Sequence, residues 1–391
     1  MTKLTLKDLS LAGKRVLMRV DFNVPMENGK ITDDSRIRAS LPSIRYVLDQ
    51  GASLILMSHL GRPKGKDLSA SLKPCAERLS ELLKKRVPMA PDCVGPEVEQ
   101  LASALQPGQV LLLENLRFHP GEEAPEKDPK FVEGLAKLGD CYINDAFGTA
   151  HRAHASTAVI AKYFPGKAAM GFLIEKELEE LSPLVKGPKR PFFAIIGGAK
   201  ISSKIGVIKS LLNSVDGLFI GGAMAFTFLK AKGIEIGASP CEDPKTIQDL
   251  PMGKIHLPLD LVVADAFSND ANKKIVSANE GIPSGWQGMD IGPKTMAAWS
   301  AQLQTGATIF WNGPLGVFEM ANFATGTRKI AETLAHSNAK TIIGGGDSVA
   351  AIEQMGLADR FSHLSTGGGA SLELIEFGHL PGIDALSNKI I

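Results

Sequence analysis

Ten residues in the first half of the chain are suited to holding a small anion: Asp21, Asn23, Arg36, Arg38, His59, Arg62, Arg117, His151, Arg152 and His154. They fall at or just after the ends of apolar runs such as VLMRVDFN, LILMSHLGRP, LLLENLRF and YINDAFGTAHRAH. Guanidinium forks hold phosphate and carboxylate groups through two parallel charge-assisted hydrogen bonds. Arginine or histidine at four strand ends therefore predicts an anion pocket, although any one of these residues alone reads as a surface ion pair or a capped turn. HRAH, residues 151–154, is rejected as a metal pair, because zinc takes neutral imidazoles and the intervening arginine disfavours a cation.

The second half ends its apolar runs with glycines instead, in FFAIIGGAK, LFIGGA, IFWNGPLG, TIIGGGDS and LSTGGGAS. GGAKISSK, residues 197–204, follows a strand and opens a helix, so backbone N–H groups and the helix dipole can meet a phosphate while Lys200 and Lys204 add charge. It is not the GxxxxGK[ST] loop, and no strand–helix junction carries a full GxGxxG. In IIGGGDS, Asp347 is a hard oxygen donor where a phosphate-bound Mg²⁺ would want one. STGGGAS, residues 365–371, makes a second anion-binding helix start. Each glycine cluster alone is a tight turn, but five in one half exceed what turns need. Glu319 is either an acceptor for ribose hydroxyls or a solvated helix-start carboxylate, and chemistry alone does not separate the two.

These residues need elements to place them. Runs rich in Val, Ile and Leu alternate with helix-length amphipathic segments, the pattern of a parallel sheet buried on both faces. Strands are predicted near 16–22, 53–59, 110–116, 141–147 and 168–172, then near 191–198, 217–222, 255–265, 308–313, 340–345 and 363–366. Ligands of such sheets sit beyond the carboxyl ends of the strands, so one pocket is expected for a small anion and another for a nucleotide. LIEKELEELSPLVK, residues 173–186, has a helical apolar stripe and is ended by the breakers of GPKRP. It marks a domain boundary at 173–190. Periodicity does not decide on which lobe the stretch from Phe377 packs.

The 391 residues, 44% of them hydrophobic, suffice for two buried cores. Lys+Arg 43 against Asp+Glu 42 leaves a net charge of +1, with no basic block, which argues against nucleic acid or a membrane surface as partner. Four scattered cysteines without CxxC read as reduced thiols. The absence of an apolar N-terminal core, or of any apolar run of about 18 residues, predicts a cytoplasmic protein.

Together, RVDFNVP, SHLGRP, LLLENLRF, INDAFGTAHRAHAS, IIGGAKISSKI, WNGPLGVFE, IIGGGDS and STGGGASLE resemble phosphoglycerate kinase from Arg19 to the LPG at 380–382. The resemblance implies an α/β fold of two doubly wound Rossmann-like lobes with parallel six-stranded sheets, joined by a hinge helix. Residues 1–172 would form a 3-phosphoglycerate-binding domain to which the tail, 377–391, returns. Residues 173–190 would be the interdomain helix and hinge, and 191–376 the nucleotide-binding domain. The implied reaction is reversible Mg-dependent phosphoryl transfer between 1,3-bisphosphoglycerate and ADP, giving 3-phosphoglycerate and ATP in glycolysis, carried out by a monomer. A kinase of another small phosphorylated carboxylic acid is the alternative.

By resemblance, Asp21, Phe22, Asn23, Arg36, His59, Leu60, Gly61, Arg62, Arg117 and Arg152 would hold 3-phosphoglycerate. Lys204, Glu319, Gly345, Gly346, Asp347 and Ser348 would hold ATP or ADP, with Asp347 on the metal side and Gly221 and Gly222 forming a flat adenine slot. Arg36, Lys200 and the amides around Gly367 and Gly368 would surround the transferred group. The acceptor carboxylate is already ionised at pH 7, so no general base is required. A dehydrogenase would need the missing glycine fingerprint, and a periplasmic anion-binding module would need an export signal. EFGHLPG, residues 376–382, and SPCEDPKTIQ, residues 239–248, depart from the family pattern, and both are expected to lie away from the proposed sites.

Overall fold

The computed structural model describes residues 2–389. The chain divides into two compact units, one running to Glu179 and resumed from His379, the other spanning Glu180–Gly378. The division falls within helix α2 (Phe172–Lys186).

In the first unit, strands β1 (Arg15–Arg19), β2 (Ser53–Met57), β3 (Val110–Leu112), β4 (Cys141–Asn144) and β5 (Ala168–Met170) form one parallel sheet in the order β3-β2-β1-β4-β5. Nearly every residue in these strands is buried, which is why they read as continuous apolar runs. Strand order reverses between β1 and β4, leaving a crevice beyond their carboxyl ends. Helix α1 (Ser35–Asp49) buries Ile37, Leu41, Ile44 and Val47 along one stripe and so carries Arg36 in its first turn. The sheet has five strands where six were expected. Near the start of the chain Thr5 makes an isolated bridge to Met170, and Lys3 one to Asn388, before a 3-10 turn, Leu6–Asp8, redirects the backbone.

The tail completes this unit. Leu380, Ile383 and Leu386 are buried. The Gly382 amide donates to the Ala150 carbonyl at 2.8 Å, the Leu4 amide to Ser387 at 2.8 Å, and the Ser387 amide to Ala168 at 2.9 Å.

The second unit contains β6 (Phe192–Ile196), β7 (Gly217–Ile220), β8 (Ile255–His256), β9 (Asp260–Ala264), β10 (Lys273–Ser277), β11 (Gln287–Ile291), β12 (Thr308–Asn312), β13 (Lys340–Gly344) and β14 (His363–Leu364). A six-stranded parallel sheet runs β8-β7-β6-β12-β13-β14, and a three-stranded antiparallel sheet runs β10-β9-β11. The larger sheet reverses between β6 and β12. The single strand expected over 255–265 is two elements. Pro258 lacks an N–H and interrupts the ladder, and β9 then pairs antiparallel with β10 and β11 instead of continuing the parallel sheet. Strands β10 and β11 had no counterpart in the sequence reading, because KKIVS is mostly exposed and QGMDI carries a charge inside its apolar run.

Candidate active site

Beyond β1 and β2, the anion-holding candidates are tied to one another. One oxygen of the buried Asp21 carboxylate accepts from Arg36 Nη1 at 2.9 Å, and the other accepts from the Asn23 amide at 3.1 Å. Asn23 Oδ1 accepts from the Gly61 amide at 2.8 Å, and Arg117 Nη1 donates to the Gly61 carbonyl at 2.8 Å. Gly61 serves both partners at a φ of +64°, a conformation that costs a side-chain-bearing residue about 1–2 kcal/mol. The Phe22 amide donates to Ser58 Oγ at 2.8 Å, and Leu60 is buried. Arg62 and Arg152 are exposed. Arg38 does not join the group, because its Nε pairs with Asp34 at 2.8 Å one turn back at the start of α1.

His59 is 3% exposed, and burial followed by Arg19, Arg117, Arg36 and His154 drives its pKa well below the ordinary value. Burial, helped by Arg117, Arg19 and Arg152 and opposed by Glu123, pushes His154 down to about 4. Both imidazoles are thus neutral at pH 7, and the positive charge belongs to the guanidinium groups.

In the second unit the reversal point is built from glycine loops in close contact. The Gly197 amide donates to Asn312 at 2.8 Å, the Gly198 amide to Pro314 at 3.0 Å, and Lys204 Nζ to the Gly197 carbonyl at 2.7 Å. A Cβ on Gly197 would run into the carbonyl oxygens of Gly313 and Pro314. Gly222, at a φ of +66°, would place a Cβ 2.6 Å from the Gly198 nitrogen, and a Cβ on Gly221 would overlap Leu315. These loops open onto a cavity of about 480 Å³, walled by Phe226, Leu261, Met289 and Leu315 and reaching Glu319 and Asp347. An apolar slot ending in two carboxylates suits a flat base with a polar, phosphate-bearing extension.

Helix α3 (Ile205–Ser214) begins just after Lys204. Burial lowers the pKa of Lys204 to about 8 against the opposing pull of Asp347. Asp347 is exposed in the first turn of α4 (Gly346–Gln354), which Gly345 starts at a φ of +92°. One exposed carboxylate beside a helix N-terminus fits a divalent cation that arrives with a nucleotide's phosphates rather than a cage made by protein alone. Ser348 differs from expectation in that its Oγ is buried and accepts from the Gly313 amide at 2.6 Å, bracing the loop after β12. The Gly367 amide is likewise committed, to Ser365 Oγ at 3.1 Å. Gly368, at a φ of +52°, starts helix α5 (Gly369–Phe377). Lys200 is exposed.

SPCEDPKTIQ, expected to stand apart, instead touches this region. The Glu242 carboxylate accepts from the Ser202 amide at 2.9 Å and from Ser202 Oγ at 2.5 Å, between Lys200 and Lys204. Asp290 was also overlooked. It lines the cavity, accepts from the Gly326 and Ile291 amides at 2.7 and 2.8 Å, and is raised to about 7 by burial. Its signal was the one charge in the run GMDIGP. Asp92, Cys93 and His119 place ligand atoms within 4.8 Å of one another, but these groups already satisfy each other. His119 Nε2 meets Asp92 at 2.5 Å, and the Cys93 thiol donates to the Glu114 carbonyl at 2.9 Å.

Residues 6–377 match the phosphoglycerate kinase family. The chain is 56% identical to phosphoglycerate kinase of Moorella thermoacetica, and 56% identical to that of Herpetosiphon aurantiacus, with all of each chain covered in both comparisons. Among solved structures it is similar to phosphoglycerate kinase from Coxiella burnetii, with 40% identity and a TM-score of 0.86, and to that from Pyrococcus horikoshii, with 33% identity and a TM-score of 0.84. Each covers 98% of both chains. Matched along most of its length and more than half identical to relatives over their entire length, the chain belongs to the phosphoglycerate kinase family, phosphotransferases of glycolysis.

Proposed function

We propose that this phosphotransferase holds 3-phosphoglycerate with the arginine group of the first unit and ATP, with Mg²⁺, in the glycine-lined cavity of the second. The observation that carries this reading is that each parallel sheet opens at its own reversal point, with chemistry suited to one of the two substrates. In the first, Arg36, Arg62, Arg117 and Arg152 supply charge for an acid bearing both phosphate and carboxylate, and Asp21 and Asn23 set the positions of Arg36 and Gly61. In the second, Gly221 and Gly222 keep the slot flat for adenine, Glu319 takes the ribose hydroxyls, and Lys204 with the start of α4 takes the phosphates. Asp347 would hold the Mg²⁺, which when bound neutralises charge on the phosphates.

The acceptor carboxylate needs no deprotonation, so the remaining work is positioning and charge stabilisation. Arg36, Lys200 and the backbone at Gly367 and Gly368 would surround the phosphoryl group in transit. In-line transfer needs reacting atoms about 3–3.5 Å apart. Closure hinged on the helix over 172–186 is therefore part of the reading, and both substrates together should compact the protein in small-angle scattering; no compaction would remove the hinge. A cytoplasmic monomer is the expected setting. Four unpaired cysteines support a reducing compartment, and no helix among the described residues is long and apolar enough to cross a membrane.

The test is formation of 1,3-bisphosphoglycerate from ATP, Mg²⁺ and 3-phosphoglycerate, followed as NADH loss through a coupled dehydrogenase. Signal that needs all three and disappears in Lys200→Ala supports the assignment. Full activity in that variant would remove Lys200 from the site.

A further inference from the structure

Arg19 ends β1 at the floor of the anion group, yet it is 1% exposed and so does not touch a ligand there itself. Its guanidinium is held on every side. Nε donates to Ser156 Oγ at 2.8 Å, Nη1 to the Val20 carbonyl at 2.5 Å, and Nη2 lies 3.0 Å from His59 Nδ1. Ser156 in turn donates to the fully buried Glu122, from Oγ at 2.5 Å and from its amide at 3.1 Å, so a carboxylate lies behind the arginine as counter-charge.

A guanidinium has donors and no acceptor. Between Nη2 and His59 Nδ1 the proton must therefore belong to arginine, and Nδ1 must be the accepting nitrogen. The ring's one proton is then on Nε2. Among the described residues nothing accepts from Nε2, and it is not among the buried polar atoms left without a partner, so this N–H keeps access to solvent and can donate to a ligand. We infer that Arg19 is a positioning residue that fixes His59 as the neutral, Nε2-protonated tautomer and thereby gives the 3-phosphoglycerate site an uncharged hydrogen-bond donor at all physiological pH values. The second half of that statement rests on the substrate reading above. The other charged or titratable groups acting on the ring are Arg36 of α1, Arg117 after β3 and His154 after β4. The three arginines oppose a second proton, and His154 adds no charge while neutral.

The device has a chemical use. An imidazolium would bind anions more tightly but would lose its charge near pH 6.5. The tautomer that arginine selects keeps one donor of constant strength, and the alternative tautomer would offer the anion a lone pair.

The experiment is ¹⁵N NMR of the full chain labelled on its histidine rings, with His59 assigned as the signal missing from His59→Gln among the eight histidines. In the ligand-free protein, Nε2 should carry the proton and Nδ1 should not, unchanged from about pH 5.5 to about 8.5, where ordinary histidines titrate. A proton on Nδ1, or a titration near the ordinary pKa, overturns the inference. Adding 3-phosphoglycerate should move the Nε2 signal. If it stays still while the tautomer is as stated, the donor role falls with the substrate reading and the tautomer assignment stands.

The paired variant Arg19→Met with Glu122→Gln removes the donor without leaving a buried carboxylate unpaired. It should let the proton move in part from Nε2 to Nδ1 and raise KM for 3-phosphoglycerate about tenfold, while kcat is unchanged and the ring, still buried beside Arg36 and Arg117, stays neutral. Arg19→Lys, which keeps a donor toward Nδ1, should restore the parent's tautomer and KM. A paired variant with the parent's tautomer and the parent's KM refutes the role, since a merely structural arginine would not set where the ring proton sits.

Discussion

Arg36 is bound to Asp21 through one nitrogen of its fork, which leaves the remaining donors for a phosphoryl group. If it stabilises the transition state as an arginine finger does, Arg36→Ala should lower kcat about 10³- to 10⁵-fold, roughly 4–7 kcal/mol. A rise in KM with kcat intact would make it a ground-state binder instead. Gly222 tests the other site. Alanine there must adopt a left-handed conformation and press on the Gly198 nitrogen, so Gly222→Ala should weaken ADP binding at least about tenfold by calorimetry; unchanged affinity would show that the slot is not where adenine lies. The arginines and glycines were legible because charges or glycines at the ends of apolar runs are conspicuous in any parallel-sheet protein. Arg19 was not, because its meaning depends on Ser156 and Glu122, partners more than 100 positions away.

At the scale of elements, the helix over 172–186 begins on a buried acid. Asp145 Oδ1 accepts from the Leu173 amide at 2.9 Å and from the Ile174 amide at 3.5 Å, while Oδ2 is buried without a partner. Burial raises its pKa to about 7, against the hydrogen bonds from Ser43 and the two amides. A folded-state pKa above the unfolded one means that Asp145's contribution is fully present below about pH 4 and is lost as pH rises through about 7. Asp145→Asn abolishes that loss, so relative to the parent it should gain stability between about pH 4 and 7, by up to about 1.4 kcal/mol per pH unit inside the window. Parallel melting curves at both pH values would mean that the acid is not protonated at neutrality. The parallel strands were readable because both faces are buried. The antiparallel sheet was not, because β10 keeps little apolar pattern at an exposed edge and Pro258 hides the break between β8 and β9 inside one hydrophobic run.

For the molecule as a whole, the two-unit α/β plan could be read from alternating strands and helices, but the way the tail joins the first unit could not. That junction depends on contacts between residues near 4 and near 387, which no local pattern encodes. Removing the segment from His379 onward would expose the partners of Leu380, Ile383 and Leu386, each worth up to about 1.5–3 kcal/mol when buried. Scanning calorimetry of the truncated chain should show one transition moved to lower temperature while ADP still binds. Unchanged melting would mean that the tail adds nothing to the first unit.

Because that unit is closed by residues 379–389, its sequence is split around the 199 residues of Glu180–Gly378. On a ribosome adding about 5–20 residues per second, the second unit is complete before the closing segment of the first has been made. The unit that emerges first must therefore wait roughly 10–40 s with the edge of β5 uncovered, which makes the newborn first unit, rather than the finished enzyme, the species most in need of a chaperone.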